Sequence, residues 1–454
     1  MNRYLFWIAG AVTFIASCSK SDYKSVTSDP ALFRVTVKKL NDIVLENNFP
    51  PVIASRNYAY ANIAAYEVIA AGDPMHFNSL AGQIKHLERV PKPASAAKID
   101  FHFASLLAFC TVGNAVTFPE GSMDEYVNSL NKKVQDAGMP TEVFDESVDY
   151  AARVSKHIMS WSKKDNYSQT RSASKFTVKL EDGRWLPTPT MYAPALEPHW
   201  MEIRTLVLDS ASQITPPPPP PFNMKDKNSR FYKNAEEVKL IVDSLNDEQK
   251  HIADFWDDNP FKLNVVGHVS YATKKFSPGG HWMNIVGIAT ENAKADFNTT
   301  VSIYAEAAIA LFDGFISCWH TKFKSNYVRP ETVINNHLNV EWRPYLQTPP
   351  FPEYTSGHAV ISSATAEILT ARLGDNIAFR DTSEAEFGIA DREFKSFRAA
   401  AKEAGMSRVY GGIHYTNSCV VGTEQGRKVA DIILTRLKLK KDQGLVLNQD
   451  KVRP

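Results

Sequence analysis

Apolar residues in this chain recur every three or four positions over long stretches, and no segment alternates convincingly every second position. That pattern restricts the fold to helices packed on helices. Segment 57–71 (NYAYANIAAYEVIAA) is rich in alanine and large apolar residues and stops at Gly72-Asp73-Pro74, a helix-ending signal. Segments 99–112 and 143–163 carry the same spacing. Helices are predicted again over 234–257, 281–294, 297–322, 358–373, 384–404 and 415–437. Residues 164–222 differ: polar turns, scattered prolines, then an unbroken run from Pro216 to Pro221. Such a run cannot be helix or inner strand and predicts a stiff polyproline segment. The expected architecture is an all-α protein of two packed helical bundle halves, 31–215 and 223–440, with 216–222 as an exposed linker.

The first residues read as a targeting segment. Arg3 precedes a short apolar run from Leu5 to Ile15, followed by Ala16-Ser17-Cys18. The run is too short to span a bilayer as a mature helix. Residues 1–17 are expected to be a signal peptide, because a charged start, an apolar core and small residues at the cut occur in order. Ile15-Ala16-Ser17-Cys18 resembles a bacterial lipobox. Cys18 is therefore the expected lipidation site, 18–30 a surface tether and 441–454 a tail. The implied location is the bacterial cell envelope, on a lipid anchor. Cys110, Cys318 and Cys419 lie among apolar or small residues without paired spacing, so they are expected to be buried free thiols.

Charge is nearly balanced, with 51 Lys+Arg against 50 Asp+Glu. A nucleic-acid binder would normally carry a basic excess, so none is expected as partner. Affinity for an anion must then come from a local cluster. Three short motifs supply one: Lys322-x6-Arg329-Pro330, Ser356-Gly357-His358 and Ser407-Arg408-x5-His414. Each is weak alone. In order, they bring three cations, a serine hydroxyl, a glycine amide and two imidazoles. Guanidinium forks match tetrahedral oxyanions, and glycine lets backbone N–H groups come close. A helix through 322–329 would place Lys322 and Arg329 on one face, with Pro330 ending it. Ser356-Gly357-His358 precedes the apolar run 359–369, so it sits at a helix N-terminus, where free N–H groups favour an anion. Ser356 alone is also explained as a helix cap. His358 is suited to move a proton near neutral pH. Gly411-Gly412 permit a tight turn that folds Arg408 and His414 together.

These motifs resemble the superfamily of vanadium-dependent haloperoxidases and type 2 phosphatidic-acid-phosphatase-like acid phosphatases. Residues 351–359 are similar to the haloperoxidase branch's F-P-x-Y-P-S-G-H-A segment. Residues 255–258, 280–285 and 313–319 and the proline run also look like that branch. The resemblance implies His414 as axial ligand to vanadium, or as the nucleophile of a phosphatase. It implies Lys322, Arg329, Arg408, Ser356 and the Gly357 amide as holders of vanadate or phosphate oxygens, and His358 as the acid–base residue. Asp258 most nearly matches the acidic partner of Arg408, with Asp257 as the alternative. Phe351 matches a position on the halide side of the pocket, and His281 is a further candidate for its wall. Thr355 stands where the pattern has proline, which would loosen the turn before Ser356. Tyr327-Val328 precede Arg329 where many members carry tryptophan. The implied activity is oxidation of halide by hydrogen peroxide with vanadate as cofactor. The alternatives are hydrolysis of a phosphate ester through a phosphohistidine, and oxyanion binding without turnover by a surface lipoprotein. A homodimer is a further expectation.

Overall fold

The computed structural model describes residues 22–441 apart from 94, 95, 190, 261, 267 and 268. The signal peptide, Cys18 and residues 442–454 of the tail lie outside the described residues. Helices dominate, in the order α1 (Tyr23–Thr27), α2 (Pro30–Glu46), α3 (Pro51–Gly72), α4 (Phe101–Val116), α5 (Asp124–Asp136), α6 (Thr141–Ser162) and α7 (Tyr167–Thr170). After the proline run come α8 (Arg230–Asp243), α9 (Asp247–Phe255), the hairpin β1 (Lys262–Val266) and β2 (Val269–Thr273), α10 (Pro278–Asn292) and α11 (Phe297–Ser325). The chain closes with α12 (Pro330–His337), α13 (Gly357–Leu373), β3 (Phe379–Asp381), β4 (Arg392–Phe394), α14 (Phe397–Tyr410) and α15 (Thr416–Arg436). Both strand pairs are antiparallel.

The two halves share one core. A single apolar cluster runs from Phe33, Tyr58 and Phe109 through Trp200 and Trp282 to Phe312, Ile361 and Val429. Its axis is α11, which packs on α3, α10, α13 and α15. By length and composition α11 is apolar enough to cross a membrane, yet it is buried inside the fold; a helix apolar on every face is a core helix here. Asp296 caps its start, accepting from the Thr299 N–H at 2.7 Å, and Asn326 ends it at φ 48° in the left-handed region, where asparagine is tolerated. α13 and α15 meet closely: a Cβ on Gly426 would stand 2.1 Å from the Val360 carbonyl oxygen. That contact sets the spacing between α13, which carries His358, and α15, which starts just after His414.

Several expectations are corrected. Residues 22–30 are not a free tether. They form α1 and the Asp29 cap of α2, and fully buried Thr27 donates to Asp100 at 2.9 Å. The helix expected over 234–257 breaks in two, because Asn246 and Gln249 form a reciprocal capping box at the start of α9. Residues 384–394 hold a 3-10 turn and β4 rather than helix. The proline run lies against the C-terminal half: the Tyr327 hydroxyl donates to the Pro220 carbonyl at 2.6 Å, and the Tyr354 hydroxyl donates to that of Pro217. Cys110, Cys318 and Cys419 are buried and free.

Candidate active site

Asp313, in the middle of α11, accepts the N–H groups of Leu206, Val207 and Leu208 at 2.7, 2.8 and 2.9 Å. The Trp319 indole, further along α11, donates to the Leu196 carbonyl at 3.3 Å. These bonds draw the irregular segment before the proline run onto α11. There Met191, Ala193, Pro194 and Leu196 become one wall of a cavity of about 240 Å³. Phe315, Trp319, Pro349, Pro350 and Phe351 add to its apolar lining. The polar end is made by Asp257, Asp258, Gly357, His358, Arg408 and His414.

The three motifs therefore converge. Lys322 lies in the last turn of α11 and Arg329 is the residue before α12. They do not share a helix, because α11 ends at Ser325, and Pro330 starts the next helix instead of ending the previous one. Arg329 Nη1 is 3.1 Å from His414 Nε2 and donates to the Ile413 carbonyl at 2.7 Å. Its Nε donates to the Phe351 carbonyl at 2.9 Å. Lys322 Nζ donates to the carbonyls of Pro352 and Glu353 at 3.1 and 2.9 Å. Both cations stand 5.0 Å from the centre of the Phe351 ring. That ring faces the cavity, whereas Lys322, Arg329 and Ser356 are not among the cavity-wall residues. Ser356 caps α13, accepting from the Ala359 N–H at 3.4 Å. Capping uses an oxygen lone pair and not the O–H, so the two readings of Ser356 are compatible. Thr355 does not loosen the turn: it is fully buried and its hydroxyl donates to Gln425 at 2.6 Å.

Glu353 is the site residue that sequence reading missed. One of its oxygens lies 2.7 Å from His414 Nδ1 and accepts from the Tyr415 N–H at 3.1 Å; the other accepts from the Ser418 hydroxyl at 2.6 Å. Burial holds the His414 imidazole well below the usual histidine range, reinforced by Arg329, Lys322 and Arg408. This favours the neutral ring. Its Nδ1–H is committed to Glu353, so Nε2 presents a lone pair beside Arg329. Burial pushes Glu353 itself up to about 7, against the pull of Ser418, Arg329 and Lys322. The only sequence signal was an acid inside the F-P-x-Y segment, next to a cation cluster.

All three cations are at most 2 % exposed. Burial lowers Lys322 to about 8 and Arg329 to about 10. Arg329 Nη2 and Arg408 Nε are buried with no hydrogen-bond partner. Buried donors without acceptors are costly, and this arrangement leaves donors available to an oxygen-rich anion. Arg408 donates from Nη1 to the Trp256 carbonyl and, at 3.3 Å, to that of Asp257. Its larger carboxylate influence is Asp257, ahead of Asp258. Asp258, the first expectation for that pairing, faces two histidines instead: Oδ2 is 3.5 Å from His358 Nε2 and Oδ1 is 2.9 Å from His281 Nδ1. These two imidazoles hold the Asp258 carboxyl well below its usual range against the desolvation that opposes it. His358 is 15 % exposed and opens on the cavity; desolvation and Arg408 lower it to about 4. His281 is fully buried and does not reach the cavity wall.

The turn that joins Arg408 to His414 depends on Gly412, at φ +75°. A Cβ there would meet Val242 at 2.9 Å and Pro344 at 3.1 Å. Gly412→Ala is expected to destabilise the protein by about 1–3 kcal/mol. Urea unfolding checks this, and a midpoint equal to that of the parent would count against a strained turn.

A crystal structure described as the first bacterial vanadium-dependent iodoperoxidase matches with a TM-score of 0.86 and 42% identity, over 91% of this chain and 98% of that one. The chain belongs to the vanadium haloperoxidase family. It is an enzyme of that family, and the profile described as the VCPO second helical-bundle domain matches residues 302–441, the stretch that holds all three motifs. Two crystal structures of bacterial vanadium-dependent chloroperoxidase, in holo and apo forms, match with TM-scores of 0.62 and 0.64 at 16% and 17% identity. They cover 86% of this chain each, and 92% and 94% of their own chains; at that identity they support the fold alone. No curated protein sequence matches significantly.

Proposed function

We propose that this protein is a vanadate-dependent haloperoxidase that uses hydrogen peroxide to oxidise halide. The observation that carries this reading is the placement of His414, with Nδ1 2.7 Å from Glu353 and Nε2 3.1 Å from Arg329 Nη1, in the charge field of buried Lys322 and Arg408. A histidine held this way by a carboxylate is a prepared metal ligand. Lys322, Arg329, Arg408, Ser356 and the Gly357 N–H would hold the vanadate oxygens, and His414 Nε2 the vanadium. When bound, vanadate supplies a Lewis acid that activates peroxide toward halide without changing oxidation state. The overall reaction takes two electrons from halide. The peroxide O–O bond breaks, one oxygen goes to the halide, and the other leaves as water after gaining protons. His358, a neutral imidazole on the cavity wall, is placed to accept and return a proton. The apolar cavity beside it, with Phe351, Trp319 and Phe315, sheds water from a weakly hydrated halide. Iodide is the proposed substrate, a reading supported by the 42% identity to the iodoperoxidase.

The test is peroxide-dependent oxidation of iodide and bromide by the purified protein, with and without added vanadate. Vanadate-dependent turnover, faster with iodide, is expected. Hydrolysis of phosphate esters blocked by vanadate, with no halide oxidation, would instead make the protein a phosphatase using His414 as nucleophile. Glu353→Gln should weaken vanadate binding by about 10–100-fold, because it no longer fixes the His414 tautomer with a charged acceptor. Calorimetric titration reads this, and unaltered affinity would remove Glu353 from the site.

We also propose that Cys18 carries a lipid anchor, on the strength of Ile15-Ala16-Ser17-Cys18. Cys18→Ser should release the protein from the membrane fraction; continued membrane association would sink the proposal.

A further inference from the structure

Behind Asp258 the chain builds a second polar cluster that the proposed reaction does not use. His281 lies in the first turn of α10, fully buried, with its ring stacked on Trp256 at 4.5 Å and 18°. Its Nδ1 faces Asp258 Oδ1 at 2.9 Å and Glu384 Oε1 at 3.7 Å. Its Nε2 is 3.0 Å from Asp381 Oδ2. The Ser383 N–H in turn donates to the other Asp381 oxygen at 3.0 Å. Glu384 is 0 % exposed, and neither of its oxygens has a hydrogen-bond partner. One donor atom from each of Asp258, His281 and Glu384 lies within 4.8 Å of the others. A buried carboxylate with no hydrogen bond at either oxygen is costly unless a proton or a cation sits on it.

We propose that Asp258, His281 and Glu384 form a metal centre that takes one divalent cation of the Zn2+ or Mn2+ type, next to the oxyanion pocket. Two carboxylates and an imidazole suit such borderline ions, whereas calcium and magnesium favour oxygen donors throughout. Asp381 is the outer partner: by accepting Nε2–H it fixes the tautomer whose Nδ1 lone pair faces the ion. The charges close, since two ionised carboxylates offset the cation and His281 stays neutral. The proton between Nδ1 and Asp258, and any proton on Glu384, leave to water. The ion would pin Asp258, the carboxylate that faces His358.

The test is elemental analysis of the purified full chain for zinc, manganese and vanadium, alongside Glu384→Gln and His414→Ala. The parent and His414→Ala are expected to hold about one equivalent of zinc or manganese, and Glu384→Gln less than about a tenth of that. After chelation, the parent should bind added ZnCl2 or MnCl2 in calorimetry and melt a few degrees higher. Asp381→Asn, which removes only the outer anchor, should weaken that binding by about 10–100-fold, and it keeps the idea testable if Glu384→Gln does not fold. No zinc or manganese in the parent, with no heat and no change in melting on titration, overturns the proposal. It would leave a His281 imidazolium bridging Asp258 and Asp381. Equal metal content in the parent and Glu384→Gln overturns it as well. Because vanadium is read separately and His414→Ala removes its ligand, failure here is distinct from failure of the haloperoxidase reading.

Discussion

His414→Ala lowers peroxide-dependent halide oxidation by about 10³-fold or more, with the helical content of the parent retained. The expectation follows from the way His414 is held. It is 2 % exposed, lies in the turn between α14 and α15, and commits Nδ1 to Glu353 at 2.7 Å. Its Nε2 is 3.1 Å from Arg329 Nη1. No other imidazole among the described residues is held by a carboxylate within the field of Arg329, Lys322 and Arg408, so no side chain nearby can take over. The fold should survive, because Glu353 keeps its bonds from the Tyr415 N–H and the Ser418 hydroxyl. Circular dichroism and a steady-state iodide assay on the same preparation decide the matter. Turnover within tenfold of the parent would show that His414 neither binds the cofactor nor attacks the substrate.

Arg408→Ala weakens vanadate binding by about 2–4 kcal/mol. Arg408 is 2 % exposed and comes from the last turn of α14. Its guanidinium lies on the cavity wall, its Nε has no partner, and its Nη1 is held by the backbone after α9. Removing it takes away a desolvated donor and one of the cations beside Asp257 and Asp258. Arg408→Lys should recover only part of the loss, since an ammonium lacks the planar fork that grips two oxygens at once. Isothermal titration with vanadate measures both variants. A change within error for Arg408→Ala would mean that this guanidinium serves only to tie α14 to α9.

The helical class was legible because α3, α11, α13 and α15 are long and their apolar residues fall at helical spacing. The strands were not legible. β3 and β4 have three residues each, too few for an alternation to emerge, and their pairing is a tertiary event. α2 and α5 were not singled out, although Asp29-Pro30 is a readable start for α2. The break between α8 and α9 was also written locally, in Asn246 and Gln249. It was masked by apolar residues that stay in phase across it.

By itself the sequence was enough to single out the candidate oxyanion site. Lys322, Arg329, Ser356, Gly357, His358, Arg408 and His414 are recognisable because their residue types and order are local facts, and a serine before an apolar helical run marks an N-terminus wherever it folds. Only the tertiary structure decided which acid serves which base. Glu353 meets His414, Asp258 turns to His281 and His358, and Asp381 and Glu384 arrive from beyond α13. A carboxylate's role depends on its burial and on the charge beside it, and both are set by segments distant in the chain. Spacing along the chain carries no record of them.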